Sequence, residues 1–244
     1  MTAPWHVNIL TLFPDMFPGP LGLSLSGKAL EKNLWSLKTV NIRDFAQGVH
    51  KSVDDTPYGG GAGMVMRPDI IEKAVRSIHK TGRKIYLSPR GTPLTQSLAE
   101  KLSKEPTLTL LCGRYEGLDQ RVLDSESFEE ISIGDYVLSG GEPAAMILMD
   151  ACIRLLPEVL GNAETTSEES FSGGLLEYPH YTRPAEWISV DGRTRTVPDI
   201  LTSGNHKHIA DWRHEQSESL TEARRPDLWE RYLSLKSSGK TSKK

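Results

Sequence analysis

Residues 129–156 read EEISIGDYVLSGGEPAAMILMDACIRLL, and three signals follow one another along that stretch. Residues 129–133 place Ile131 and Ile133 at the two-residue spacing of a strand. Gly134, Gly140 and Gly141 then break any regular period, which reads as a loop. From Glu142 to residue 156, Ala144, Ala145, Leu148, Ala151 and Leu155 fall on one helical face. Strand, glycine-rich loop and helix in series form the unit from which α/β domains are built.

Working outward, short apolar runs at residues 7–12, 34–42, 83–87 and 107–111 read as further strands. Between them, Ile70, Ile71, Ala74, Val75 and Ile78 keep the 3.6 period after the start signals Pro68 and Asp69. The alternation predicts a mostly parallel sheet. Two other strands end as 129–133 does. One runs into Ser88-Pro89-Arg90-Gly91, the other into Cys112-Gly113-Arg114-Tyr115-Glu116-Gly117. Ligands of α/β sheets bind beyond the carboxyl ends of strands, and glycine lets backbone groups approach them. Any one loop reads equally well as a tight turn; three together point to a ligand crevice.

Neither G-x-x-x-x-G-K-[ST] nor G-x-G-x-x-G occurs, and Arg90 and Arg114 are the only basic residues of these loops. That composition disfavours a triphosphate or dinucleotide and suits a nucleoside-like ligand without phosphates. The loop YGGGAGM (58–64) lacks the partners of a phosphate cradle; its other reading is a turn that another backbone or subunit approaches closely. There is no H-E-x-x-H, no zinc-spaced Cys/His cluster and no G-x-S-x-G elbow, which argues against a zinc hydrolase or a covalent serine or cysteine enzyme.

The chain has 244 residues, with 29 Lys+Arg against 32 Asp+Glu and a net charge of −3. No apolar run approaches the roughly 20 residues of a membrane span. The N-terminal stretch has no basic residue before its apolar segment, so no signal peptide is expected. Cys112 and Cys152 cannot build a disulfide framework. A cytoplasmic protein without a membrane partner is expected. The charge is unevenly spread: residues 161–199 hold 3 basic and 7 acidic side chains, residues 200–244 hold 9 and 6. GNAETTSEESFSGG (161–174) reads as a flexible linker. Beyond it, residues 178–198 are proline-rich and polar, and helical patterns follow at 205–224 and 226–235, with Trp212 and Trp229 as anchors. The expected organisation is an α/β domain over 1–160, a linker over 161–175 and a small all-helical domain over 176–244, whose basic tail reads on charge alone either as a nucleic-acid contact or as a solubilising surface.

The strings LFPDMF (12–17), DDTPYGGGAGMVM (54–66), LCGRYEGLDQRV (111–122), SIGDYVLSGGEPAAM (132–146), PHYTRP (179–184) and LTSGNHKHIADWR (201–213) together resemble the bacterial tRNA (guanine-N1)-methyltransferases. The resemblance runs from about residue 7 to residue 235. It implies a SPOUT-class α/β fold whose C-terminal part forms a trefoil knot, followed by a linker and a small helical domain. It also implies S-adenosylmethionine as methyl donor, a need for magnesium, and a homodimer with active sites across its interface. The implied substrate is N1 of guanine 37 in tRNA, beside the anticodon, with the helical tail on the anticodon stem-loop.

By the same resemblance, the donor is held by Tyr86, Leu87 and Pro89, by Gly113, Tyr115, Glu116 and Gly117, and by Ile133, Gly134, Asp135, Tyr136, Val137, Leu138, Gly140 and Gly141. Glu116, Arg154, Ser170, Glu177 and His180 contact the substrate, and Arg154 and Glu169 are catalytic. Glu169 and Glu177 stand where the family usually has aspartate. Either the linker absorbs the extra methylene and Glu169 is the base, or Glu168 or another acid takes that role. The departure leaves a non-catalytic RNA-binding protein on the same fold as the alternative.

Overall fold

All five apolar runs become strands of one sheet in the computed structural model, which describes residues 3–160, 170–171 and 173–241. In chain order the strands are β1 (Trp5–Thr11), β2 (Trp35–Asn41), β3 (Asp54–Asp55), β4 (Val65–Met66), β5 (Arg83–Pro93), β6 (Thr107–Leu111) and β7 (Glu129–Ser132). The helices between and after them are α1 (Ser24–Glu31), α2 (Pro68–Arg76), α3 (Gln96–Leu102), α4 (Gln120–Ser125) and α5 (Gly141–Ile153). The main sheet has the order β2-β1-β6-β5-β7 with every pair parallel, while β3 and β4 form a separate antiparallel ribbon.

Side chains alternate across the pleat. Val7, Ile9, Ile85, Leu108, Leu110 and Ile131 face one way and pack on Ala99 and Leu102 of α3 and on Ala145, Leu148, Met149 and Cys152 of α5. Leu10, Tyr86 and Leu111 face the other way, onto Ile70, Ile71, Ala74 and Val75 of α2 and Val122 and Leu123 of α4. A parallel sheet covered on both faces needs apolar residues at nearly every strand position, which is why these strands are legible as short continuous runs.

One strand departs from its expected length. Leu87 and Thr92 of β5 both pair with Ile131 of β7, so Ser88 to Gly91 bulge out between two paired stretches. A Cβ at Gly91 would collide with the backbone of Glu130 and Ile131. The longest expected helix also shifts: α5 starts at Gly141 and stops at Ile153, short of residue 156. Leaving β7, at the sheet edge, the chain crosses the end of β5 to the loop behind β6, where the Gly141 amide donates to the Gly113 carbonyl at 2.9 Å.

The chain divides into two compact units, Met1–Gly161 and Asn162–Lys244. The smaller one is not all-helical. It contains an antiparallel hairpin, β8 (Glu186–Ile188) and β9 (Thr194–Thr196), before the helices α6 (Asp199–Thr202), α7 (His206–Arg224) and α8 (Pro226–Thr241). Asp191-Gly192 makes the turn, with Gly192 at φ +77° and its amide bonded to the Ser189 carbonyl at 2.9 Å. An Asp-Gly pair between alternating residues is a hairpin signal, but Arg and Thr on such short, exposed strands leave no apolar period to reveal them.

Residues 161–169 and 172 of the expected linker lie outside the described residues. Its described end is tied to the small unit: Phe171 N–H donates to Leu175 O at 2.8 Å and Leu176 N–H to Thr221 Oγ1 of α7 at 2.9 Å. Among the described residues of this unit, Leu175 is the one buried apolar side chain. Trp229 stacks on Tyr232 at 5.5 Å and Trp212 meets Tyr181 at 6.3 Å, both half-buried rather than central. No helix among the described residues is long and apolar enough to cross a membrane.

Candidate active site

The three glycine-bearing strand ends meet around one cavity of about 370 Å³. Residues 86–90 of the β5 bulge form one wall, residues 113–118 behind β6 a second, and residues 131–134 and 136–141 after β7, with Ala144, a third. Tyr86, Leu87, Pro89, Gly113, Tyr115, Glu116, Gly117, Ile133, Gly134, Tyr136, Val137, Leu138, Gly140 and Gly141 therefore lie together. Asp135 does not line the cavity. The Tyr136 amide bonds back to the Gly134 carbonyl at 3.0 Å, which puts Asp135 at the apex of a three-residue turn with its side chain in solvent.

Close backbone packing shapes the cavity. A Cβ at Gly141 would sit 2.8 Å from Cys112 Cα and 2.9 Å from Gly113 N, where the Cys112 amide is tied to the Leu10 carbonyl of β1 at 2.9 Å. A Cβ at Gly113 would meet the Tyr86 ring at 2.8 Å and its hydroxyl at 2.9 Å. Burial pushes the Tyr86 hydroxyl up to about 12, so it stays protonated at neutral pH.

The second and third walls are clasped by a buried charge pair. Glu142, in the first turn of α5, is 0% exposed; its Oε1 accepts the Thr11 hydroxyl at 2.7 Å and its Oε2 lies 2.9 Å from Arg114 Nη2. The Arg114 guanidinium lies 4.3 Å from the Phe13 ring centroid and donates to the Ser139 carbonyl at 3.2 Å. Sequence reasoning noted Arg114 only as a loop cation. Glu142 sits beyond the last glycine with no local signal that it is buried, and its partners are 28 and 131 residues away in the chain. Ser88, Arg90, Leu118, Ile131, Ser132, Ser139 and Ala144 are also in the lining without having been singled out as site residues. Ser88, Arg90 and Ser139 could have been found by taking the loops whole.

The glycine loop at 58–64 packs against this site from within the chain. Glu116 N–H donates to Met64 O and Met66 N–H to Gly117 O, both at 2.9 Å, and Gly63 abuts the Glu116 side chain. At Gly63 the close approach is that of the chain's own loop behind β6, whereas a Cβ at Gly59 or Gly60 would meet nothing within 4 Å.

The remaining site residues fall elsewhere. Arg154 is the half-buried C-cap of α5 and does not line the cavity. Glu169 lies outside the described residues. In the small unit, Ser170, Glu177 and His180 come together: the Glu177 amide donates to Ser170 Oγ at 3.0 Å, and its carboxylate lies 2.9 Å from His180 Nε2.

Among the described residues the cavity lining holds Glu116 as its one carboxylate and no lysine, and its two arginines are already committed, Arg114 to Glu142 at 2.9 Å and Arg90 to Glu130 at 3.2 Å. Such a site suits a nucleoside carrying positive rather than negative charge. The family described as tRNA (Guanine-1)-methyltransferase TrmD matches residues 5–231. The chain belongs to this family. It is 59% identical over 231 residues to the tRNA (guanine-N(1)-)-methyltransferase of Rhodospirillum rubrum, covering 94% of this chain and 95% of that one. It is 56% identical over 228 residues to the protein of that name from Brucella ovis, covering 93% and 92%. The Brucella abortus (strain 2308) protein of the same name is also 56% identical over 228 residues, covering 93% and 91%.

Proposed function

We propose that this chain transfers a methyl group from S-adenosylmethionine to N1 of guanine 37 in tRNA. The observation that carries the reading is the cavity at three strand ends, whose loops lack a phosphate-cradle motif, in a chain of this family. S-Adenosylmethionine fits it: the donor is a nucleoside with a cationic sulfur and no phosphate, and the volume lies within the ordinary range for small ligands. Backbone groups around Leu87, Gly113, Ile133 and Leu138 would take the nucleoside, and Glu116 would favour the positive end. When bound, the donor supplies an electrophilic methyl carbon and leaves as a neutral thioether.

Neutral guanine carries a proton on N1 and attacks poorly, so the chain must remove that proton as the N1–methyl bond forms. Glu169 takes the proton, and Arg154 donates to O6 as negative charge gathers there. Glu168 is the alternative base if the longer side chain of Glu169 cannot reach. Ser170, Glu177 and His180, already assembled, position the guanine.

The crossing of the chain over β5 supports the trefoil knot of the SPOUT class. Exposed Tyr115, Tyr136, Val137 and Leu138 on the cavity loops support a homodimer that covers them and completes the site. The basic tail contacts the anticodon stem, and a cytoplasmic location goes with the substrate. Magnesium belongs to the same reading, although among the described residues no three His, Cys, Asp or Glu side chains gather to hold it.

The test is incubation with methyl-labelled donor and tRNA transcript, followed by mapping of the label. Label on N1 of guanine 37 is expected, with single-turnover rates falling at least about 100-fold in Glu169→Ala and Arg154→Ala. Donor binding without transfer would replace this reading with a non-catalytic RNA-binding protein, and near-wild-type rates in both variants would overturn the residue roles.

A further inference from the structure

A second cavity, of about 320 Å³, lies wholly within the small unit. Its walls are residues 178–183, Ala185 and Val197 flanking the hairpin, Leu201 and Thr202 of α6, and Ile209, Trp212 and Arg213 of α7. The Val197 amide donates to the Ala185 carbonyl at 2.9 Å, and Asn205 caps α7 by accepting from the His208 amide at 3.3 Å. One wall, α6 with α7, is regular structure, and the other, residues 178–185, is irregular chain that leads into the hairpin.

The composition of the lining is selective. Tyr178, Tyr181 and Trp212 bring three aromatic rings, with Tyr181 6.3 Å from Trp212 and Tyr178 5.0 Å from the His180 ring. Arg183 and Arg213 add two guanidinium groups, the second 4.8 Å from the centre of Tyr178. Among the described residues no carboxylate lines the cavity, in a chain whose net charge is −3. Arg193 and Arg195 of the same unit lie on Asp191 and Arg225 on Asp227, whereas Arg183 enters no ion pair among the described residues.

Tyr181 is 48% exposed, so much of its ring contributes nothing to folding through burial. An inorganic anion would use the guanidinium groups and leave the rings idle; an apolar segment would do the reverse. A flat π-system with an adjacent negative charge uses both.

The geometry points to a base-stacking site in this cavity, where one unpaired nucleobase of the tRNA anticodon loop lies among Tyr178, Tyr181 and Trp212 with its flanking phosphate on Arg183. This rests on the proposed tRNA substrate and deepens it: the small unit holds the RNA by a base face as well as by its basic charge. Stacking on aromatic rings tolerates any base, so the contact grips an unpaired loop without restricting its sequence.

The experiment measures binding of the full chain to an anticodon stem-loop by fluorescence anisotropy over a range of salt concentrations. It compares the wild type with Tyr181→Ala, Tyr181→Phe and Arg183→Ala, and adds a stem-loop whose loop nucleotides are abasic. Tyr181→Ala should weaken binding about 5- to 100-fold at an unchanged salt slope, and Tyr181→Phe should stay close to wild type. Arg183→Ala should lower the salt slope by about one. The abasic loop should bind the wild type no better than the intact loop binds Tyr181→Ala. Wild-type affinity in Tyr181→Ala, or an equal loss in Tyr181→Phe, overturns the stacking site. If Tyr181→Ala fails to fold, Tyr181→Phe and the salt slope of Arg183→Ala still decide. Failure of the tRNA reading itself shows separately, as no label transferred by the wild type.

Discussion

Replacing Glu142 by alanine tests the clasp that holds the donor cavity together. The carboxylate is 0% exposed and Arg114 is 18% exposed, so the substitution strands a guanidinium in a largely dry place. Breaking a buried pair by removing one partner costs about 3–5 kcal/mol. The lower end applies, because the contact at Oε2 is close in distance without being a well-aligned hydrogen bond, and Arg114 keeps the Ser139 carbonyl and the Phe13 ring. Interaction of Glu142 with the N-terminus of α5 contributes less, at most about 2 kcal/mol. The net expectation is a loss of about 3 kcal/mol, a large part of a typical stability of about 5–15 kcal/mol. At a urea dependence of about 2 kcal/mol/M, the unfolding midpoint of the larger unit should fall by about 1.5 M. Because the pair ties residues 113–117 to residues 139–141, affinity for S-adenosylmethionine measured by calorimetry should drop in the same variant. The combined change Arg114→Met with Glu142→Leu should recover much of the stability, since it leaves no stranded charge. A midpoint shift below about 0.5 M with donor affinity unchanged would refute the clasp.

Gly141→Ala forces a methyl group against the backbone of Cys112, which is hydrogen-bonded to β1, and of Gly113; a loss of about 1–3 kcal/mol in urea unfolding and weakened donor binding are expected. Hydrogen bonds from Lys236, then Tyr232, hold the Glu218 carboxyl below its ordinary value of 4.5, so its contribution is present above that pH and is lost as pH falls below it. Glu218→Gln should loosen the α7–α8 amides in hydrogen exchange at pH 7 by about 0.5–1 kcal/mol, a difference from wild type that shrinks on acidification. Burial pushes Cys152 up to about 12 and raises Cys112 well above its usual range, so neither thiol should react with a disulfide reagent at pH 8 until urea unfolds the chain. Rapid labelling of the native protein would show that the core around α5 opens.

The strands and the helical faces were legible because each is a local pattern. The run at 107–111 is β6 to the residue, and Ile70, Ile71, Ala74, Val75 and Ile78 are buried as their spacing requires. The three strand-end loops could be proposed as one site because a parallel sheet sends all its carboxyl ends to the same edge. Asp135, expected at the site by resemblance, stands at the exposed apex of its turn and outside the cavity lining, because membership of a loop does not say which way a turn aims its apex residue. The hairpin at Glu186–Thr196 escaped because its strands are too short and too exposed to carry an apolar period.

Taken by itself, the order of residues determined the α/β class, the strand ends that carry glycine and the absence of a phosphate cradle. All of these are written in neighbours a few positions apart. Only the tertiary structure decided that Gly141 and Gly113 touch, that Thr11, Arg114 and Glu142 share one buried site, and that Tyr178, Tyr181 and Trp212 enclose a second cavity. Those are contacts between segments tens of residues apart. The first two exist because burying the sheet faces brings the loop ends together, the third because residues 178–183 lie against α7, and no local period encodes which segments will meet.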